Sequence, residues 1–122
     1  DNVSFNDDEL ELTGRKIASF TYKGVNYKVT SWKEMLVQVS KLIYDDEPVQ
    51  MNSLAAKDMW YHRENAEGRT QIADNCFVFS SCSTKTKCSI LTYAFEQLGL
   101  NFSDLEFELI PLSDKETISN EE

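Results

Sequence analysis

Apolar positions along this chain change their spacing several times, and each change marks a new element. From Lys16 they alternate with polar ones: Ala18, Phe20 and Tyr22, then Lys23-Gly24, then Val25, Tyr27 and Val29. A period of two on both sides of a glycine-containing pair predicts a hairpin with Tyr22 facing Val25, Phe20 facing Tyr27 and Ala18 facing Val29. Lysine suits the first position of such a turn poorly, so a three-residue loop with a shifted register stays open as the alternative. Ser31 and Glu34 stand at capping-box spacing before Trp32, Leu36, Val39 and Ile43, which predicts a helix over 32–44. The acids of Asp45-Asp46-Glu47 oppose the dipole at its end, and Pro48 opens a second helix over 48–57 with Met51, Leu54 and Ala55 inward.

Between Asp58 and Asn75 no period survives, and the segment reads as an ordered loop around Trp60 and Tyr61. Phe77 and Phe79 alternate with Cys76 and Val78 in a third strand. Ile90, Leu91, Ala94, Phe95 and Leu98 recur with helical spacing, and Gly99 stands where a left-handed cap belongs, which predicts a helix over 84–98. Leu105, Phe107 and Leu109 alternate with Glu106 and Glu108 in a last strand with one wet face. The order ββααβαβ predicts a compact α+β domain, a mixed or antiparallel sheet of about four strands with three helices packed on it. Residues 1–13 read as an acidic lead-in, 14–111 as the domain and 112–122 as an acidic, disordered tail.

Charge changes this picture in one respect. The formal net charge is -9, yet residues 14–100 carry eleven bases and nine acids, so the excess of acid belongs to the flanks. Acidic flanks repel nucleic acid at a distance while leaving the folded part free to bind it. A chain of 122 residues is long enough for one core without metals or disulfides. It has no secretory apolar segment and no run of eighteen apolar residues, and it begins with Asp1; it therefore reads as a cytoplasmic piece of something larger, with no membrane contact. Cys76, Cys82 and Cys88 are an odd set and read as reduced thiols.

Candidate chemistry centres on Ser80–Ile90, "SSCSTKTKCSI", a hydroxyl-rich junction between the third strand and the last helix. Unpaired backbone N–H groups and the partial positive charge of a helix start suit a phosphate, with Ser83 or Thr84 as cap and Lys85 and Lys87 beside it. The plainer reading is a simple cap with both lysines in solvent. Tyr61, Arg63 and Arg69 interleave an aromatic with cations, as in surfaces that stack bases and hold phosphates; the plainer reading is a loop pinned by Trp60. Were the loop to lie beside the junction, Lys57, Arg63, Arg69, Lys85 and Lys87 would form one basic patch. The cysteine spacing and single histidine, His62, do not form a zinc pattern, and a Cys82–His62 nucleophile lacks an orienting third residue. No catalytic residue, metal or cofactor is expected.

Leu12-Thr13-Gly14-Arg15-Lys16, the Phe20/Gly24/Tyr27 hairpin, Ser31-Trp32-Lys33, Leu98-Gly99 and Ser103-Asp104-Leu105 together resemble a small C-terminal accessory domain of multidomain bacterial restriction and phage-defence proteins, including those with a GmrSD-type (ParB-like) nuclease. The resemblance covers about residues 12–110. It implies a non-catalytic recognition module that reads DNA or RNA or docks other domains of its parent protein, with protein interaction or oligomerisation as the alternative and a cysteine-dependent enzyme as a third. In the middle region of such relatives arginine and lysine are more frequent than in "KDMWYHREN" here.

Overall fold

The computed structural model describes residues 2–7 and 10–112. Seven strands and three helices form an α+β fold with two antiparallel sheets. The larger sheet contains β1 (Asn2–Ser4), β2 (Ile17–Tyr22), β3 (Val25–Lys28) and β7 (Leu105–Leu109), in the order β1-β7-β2-β3. Two helices, α1 (Trp32–Asp46) and α2 (Pro48–Ala56), lead to the second sheet, built from β4 (Tyr61–His62), β5 (Arg69–Ala73) and β6 (Cys76–Phe79) in the order β4-β6-β5. The last helix, α3 (Thr84–Leu98), follows β6, and a 3-10 turn at Phe102–Asp104 precedes β7.

The hairpin has the expected two-residue turn and pairs Tyr22 with Val25 and Phe20 with Tyr27. Lys23 takes φ 50° beside Gly24 at φ 83°. Its neighbours hold it there: its N–H donates to the Asp104 carbonyl at 2.8 Å, and Nζ reaches Asp46 at 2.9 Å. An irregularity between Ile17 and Ser19 lets both Ile17 and Phe20 face the core, while Val25 stays exposed.

The α1 start uses both residues of the capping box. Ser31 Oγ accepts from Glu34 N at 3.0 Å, and Glu34 Oε1 accepts from Thr30 N at 2.7 Å, one residue ahead of the usual reciprocal partner. At its far end α3 stops at Gly99 in the left-handed region, φ 67°. Helix α1 packs on β5 and α3 and reaches β2, whereas α2 covers β4 and β6. Met35, Leu36, Val39, Ile43, Ile90, Leu91 and Phe95 fill the space between.

Two expectations need correction. The stretch 1–13 is not merely a lead-in: β1 pairs with β7, and Phe5 is buried against Phe95, Phe102 and Phe107, with ring centroids 4.9, 5.7 and 6.1 Å away. A three-residue strand is too short to display a period. Residues 58–75 are not one loop but carry β4 and β5, so β6 belongs to a second sheet. Asp58 and Trp60 bend the chain at positive φ, 60° and 65°, and turn Tyr61 inward. Apart from Leu112, the expected tail lies outside the described residues. Among the described residues no helix is long and apolar enough to cross a membrane.

Candidate functional site

The junction between β6 and α3 is locked by one carbonyl. Gly68 O accepts from Ser80 N at 2.8 Å, from Ser81 N at 3.1 Å and from Ser80 Oγ at 3.3 Å, so the turn before β5 grips the strand exit. Thr70 and Ser80 hydroxyls lie 2.7 Å apart beside it. Gly68 itself has φ 84°, and a Cβ there would stand 3.1 Å from the Phe79 ring. Only glycine suits that position, which explains the lone Gly in an otherwise polar run.

Ser83 caps α3: its Oγ accepts from Thr86 N at 3.1 Å and donates to Thr86 Oγ1. Lys87 N bonds to the Ser83 carbonyl in the normal helical way. The cap and the first helical turn thus occupy the N–H groups of Thr86 and Lys87, which leaves fewer of the unpaired groups expected at this helix start for a phosphate.

Two concavities flank this helix start. An open depression of about 430 Å³ is lined by Lys33, Arg69 and Lys87 together with Gly68, Thr70, Ser80, Ser81 and Cys82. Among the described residues no carboxylate lines it. Lys87 is only 7% exposed, and its Nζ donates to the Cys82 carbonyl. Arg69 is half-buried, with Nη1 bonded to the Glu64 carbonyl at 3.0 Å. The second, a cleft of about 620 Å³, lies between residues 5–15 and α3 and includes Ser83, Thr84, Lys85 and Arg15, but also Asp7 and Glu11. The Glu11 carboxyl is held below its ordinary value mainly by hydrogen bonds from Thr13, with a contribution from the Lys85 charge. With Asp7 and Glu11 in its lining, this cleft suits an anion less well than the depression does.

The sequence-derived residues therefore divide. Arg69 and Lys87 meet, Ser83, Thr84 and Lys85 line the opposite side, and exposed Arg63 lines neither concavity. Lys57 bonds Gln97 Oε1 at 3.1 Å, in a groove between α2 and α3, and is not part of the patch. Tyr61 is removed from the surface altogether: it is fully buried, 2.9 Å from Ser40 Oγ. It cannot stack a base. Lys33 and Thr70 were not among the candidate anion-binding residues, since helix packing brings Lys33 to residues far away along the chain.

The thiols are poorly suited to catalysis. Burial pushes Cys76 and Cys88 up to about 11, and raises Cys82 more than the nearby Lys87 lowers it. His62 is nearly buried, with Nδ1 2.5 Å from Asp58 Oδ1. That contact is the main reason the Asp58 carboxyl lies below its ordinary value, with Arg69 adding a smaller charge effect. Among the described residues no three His, Cys, Asp or Glu side chains are grouped to hold a metal ion. The chain matches no protein-family model, no curated protein and no solved structure at a level that indicates relationship.

Proposed function

We propose that this domain is a non-catalytic recognition module that contacts nucleic-acid phosphate, carried within a larger bacterial restriction or phage-defence protein. One observation supports the contact. In a chain of formal net charge -9, a depression gathers Lys33, Arg69 and Lys87 beside three hydroxyl residues, with no carboxylate among the described residues of its lining. Such a local reversal of charge attracts a polyanion and releases its counterions. The parent architecture rests on the resemblance of residues 12–110.

The competing readings draw less support. Partner anchors at Trp32, Trp60 and Tyr61 are turned inward: Trp32 Nε1 bonds the Arg15 carbonyl at 3.0 Å, Trp60 lies against Phe79, and Tyr61 is core. A cysteine-dependent enzyme would need a thiolate that burial disfavours.

The test is fluorescence anisotropy of the full chain with labelled single- and double-stranded DNA and RNA, at low and at high ionic strength. Binding should weaken steeply with salt, and Lys33→Glu with Arg69→Glu should remove it at an unchanged melting temperature. If the chain binds neither DNA nor RNA at low salt, the recognition reading fails and a protein-interaction domain takes its place.

A further inference from the structure

Lys87 is a buried lysine with no carboxylate paired to it among the described residues. It is 7% exposed, and its ammonium has one hydrogen-bond acceptor among the described residues, the Cys82 carbonyl. An ammonium has three donors, and the Cys82 carbonyl takes one of them. Burying a cation with neither a carboxylate nor a full set of acceptors is unfavourable, and an anion in the depression would offset that cost. Arg69 stands in the same lining with one guanidinium nitrogen engaged by Glu64, and Lys33 stands at the exposed rim. Three positive groups therefore face one depression, and among the described residues no acid lines it.

We infer that this depression is a socket for a terminal phosphate, the phosphomonoester at the end of a nucleic-acid strand; this rests on the nucleic-acid reading above and narrows its ligand. The argument is one of charge and access. An internal phosphodiester carries a single negative charge, whereas a phosphomonoester carries about 1.5 to 2 at neutral pH and offers three acceptor oxygens. Three cations lining one depression match the second better than the first. A terminal group also enters a recess from one side, while an internal phosphate brings a nucleoside on each flank. The remaining donors of Lys87 would take one oxygen at the floor, and Arg69, with several unengaged N–H groups, would take the others. Ser81, exposed at the edge, adds a hydroxyl.

The test compares one oligonucleotide sequence carrying a 5′-phosphate, a 3′-phosphate or hydroxyls at both ends, titrated into the full chain at fixed salt. At least one phosphorylated form should bind about tenfold more tightly than the hydroxyl form, the size expected of one or two charge-assisted hydrogen bonds. Lys87→Gln should erase the preference. Since that variant alters a buried site, Lys33→Gln with Arg69→Gln, both outside the core, is measured beside it and should erase the preference too. Equal binding of all three forms overturns the inference yet leaves the broader nucleic-acid reading standing. Binding of none of them overturns both. A nucleoside monophosphate or a phosphoserine peptide that binds as tightly as the oligonucleotide overturns the assignment to a strand end.

Discussion

Ser40 Oγ and Tyr61 Oη lie 2.9 Å apart with both residues fully buried, which ties the middle of α1 to the two-residue strand β4. Each hydroxyl has the other as its partner in a fully buried site. Removing one leaves its partner unsatisfied, so Tyr61→Phe and Ser40→Ala should each cost about 1–3 kcal/mol. The double variant should cost less than the sum of the two, because it leaves no orphan. Urea melts of the four proteins check this; strict additivity would mean that the pair is not coupled.

Gly68 should tolerate no side chain. Its φ of 84° disfavours any L-residue, and an added Cβ would meet Phe79 Cε1 at 3.1 Å and Ser81 Cβ at 3.2 Å. Gly68→Ala should destabilise by about 1–3 kcal/mol, combining backbone strain with displaced neighbours. Gly14 has φ 75° but nothing within 4 Å of its added Cβ, so Gly14→Ala should cost less. Equal urea midpoints for the two variants would show that the contacts at Gly68 add nothing.

The ion pair of Lys23 with Asp46 should give stability a shallow pH dependence at both ends. The Asp46 carboxyl is held below its ordinary value first by the hydrogen bond from Lys23, then by that from Tyr22. A lowered carboxyl contributes fully above its unfolded value of about pH 4, and the contribution is lost as pH falls through the folded value. Lys23 is raised by the same bond, and the Tyr22 hydroxyl by burial and then by Asp46. Those contributions are present below about pH 10 and fade as pH rises further. With side chains 44% and 38% exposed, the ion pair itself should be worth well under about 1 kcal/mol. The gap in urea midpoint between the native chain and Asp46→Asn should therefore be small at neutral pH and close further below about pH 4.

What the sequence made legible was local chemistry. The caps at Ser31, Ser83 and Gly99 and the face Met51, Leu54 and Ala55 could be read because each depends on neighbours within one turn. Tyr61 could not be, since its burial comes from β6 pairing beside it and from Ser40, twenty-one positions away along the chain. Lys87 is an intermediate case. It precedes Ile90 by three and Leu91 by four, so the helical spacing already placed it on the inward face, and only its charge suggested solvent. The depression was legible only in part: Arg69 beside Lys87 followed once the middle segment was placed next to the junction, but nothing in the spacing of Lys33 records that α1 packs on β5.

The first six residues should matter to stability although they read as a linker. Asn2–Ser4 pair with Glu106–Glu108, and Phe5, 3% exposed, closes an aromatic cluster over Phe95, Phe102 and Phe107. Phe5→Ala should cost about 3–5 kcal/mol, the range for removing a buried ring. A chain starting at Asp7 should lose at least as much, because it also strips the β7 edge of its strand. Truncation is thus the wrong way to test whether acidic groups near α3 oppose a polyanion. Glu11→Gln does so without touching Phe5, and it should strengthen DNA binding modestly at low salt with little change in melting temperature. If removal of residues 1–6 leaves the urea midpoint unmoved, β1 is not part of the cooperative fold and the linker reading returns.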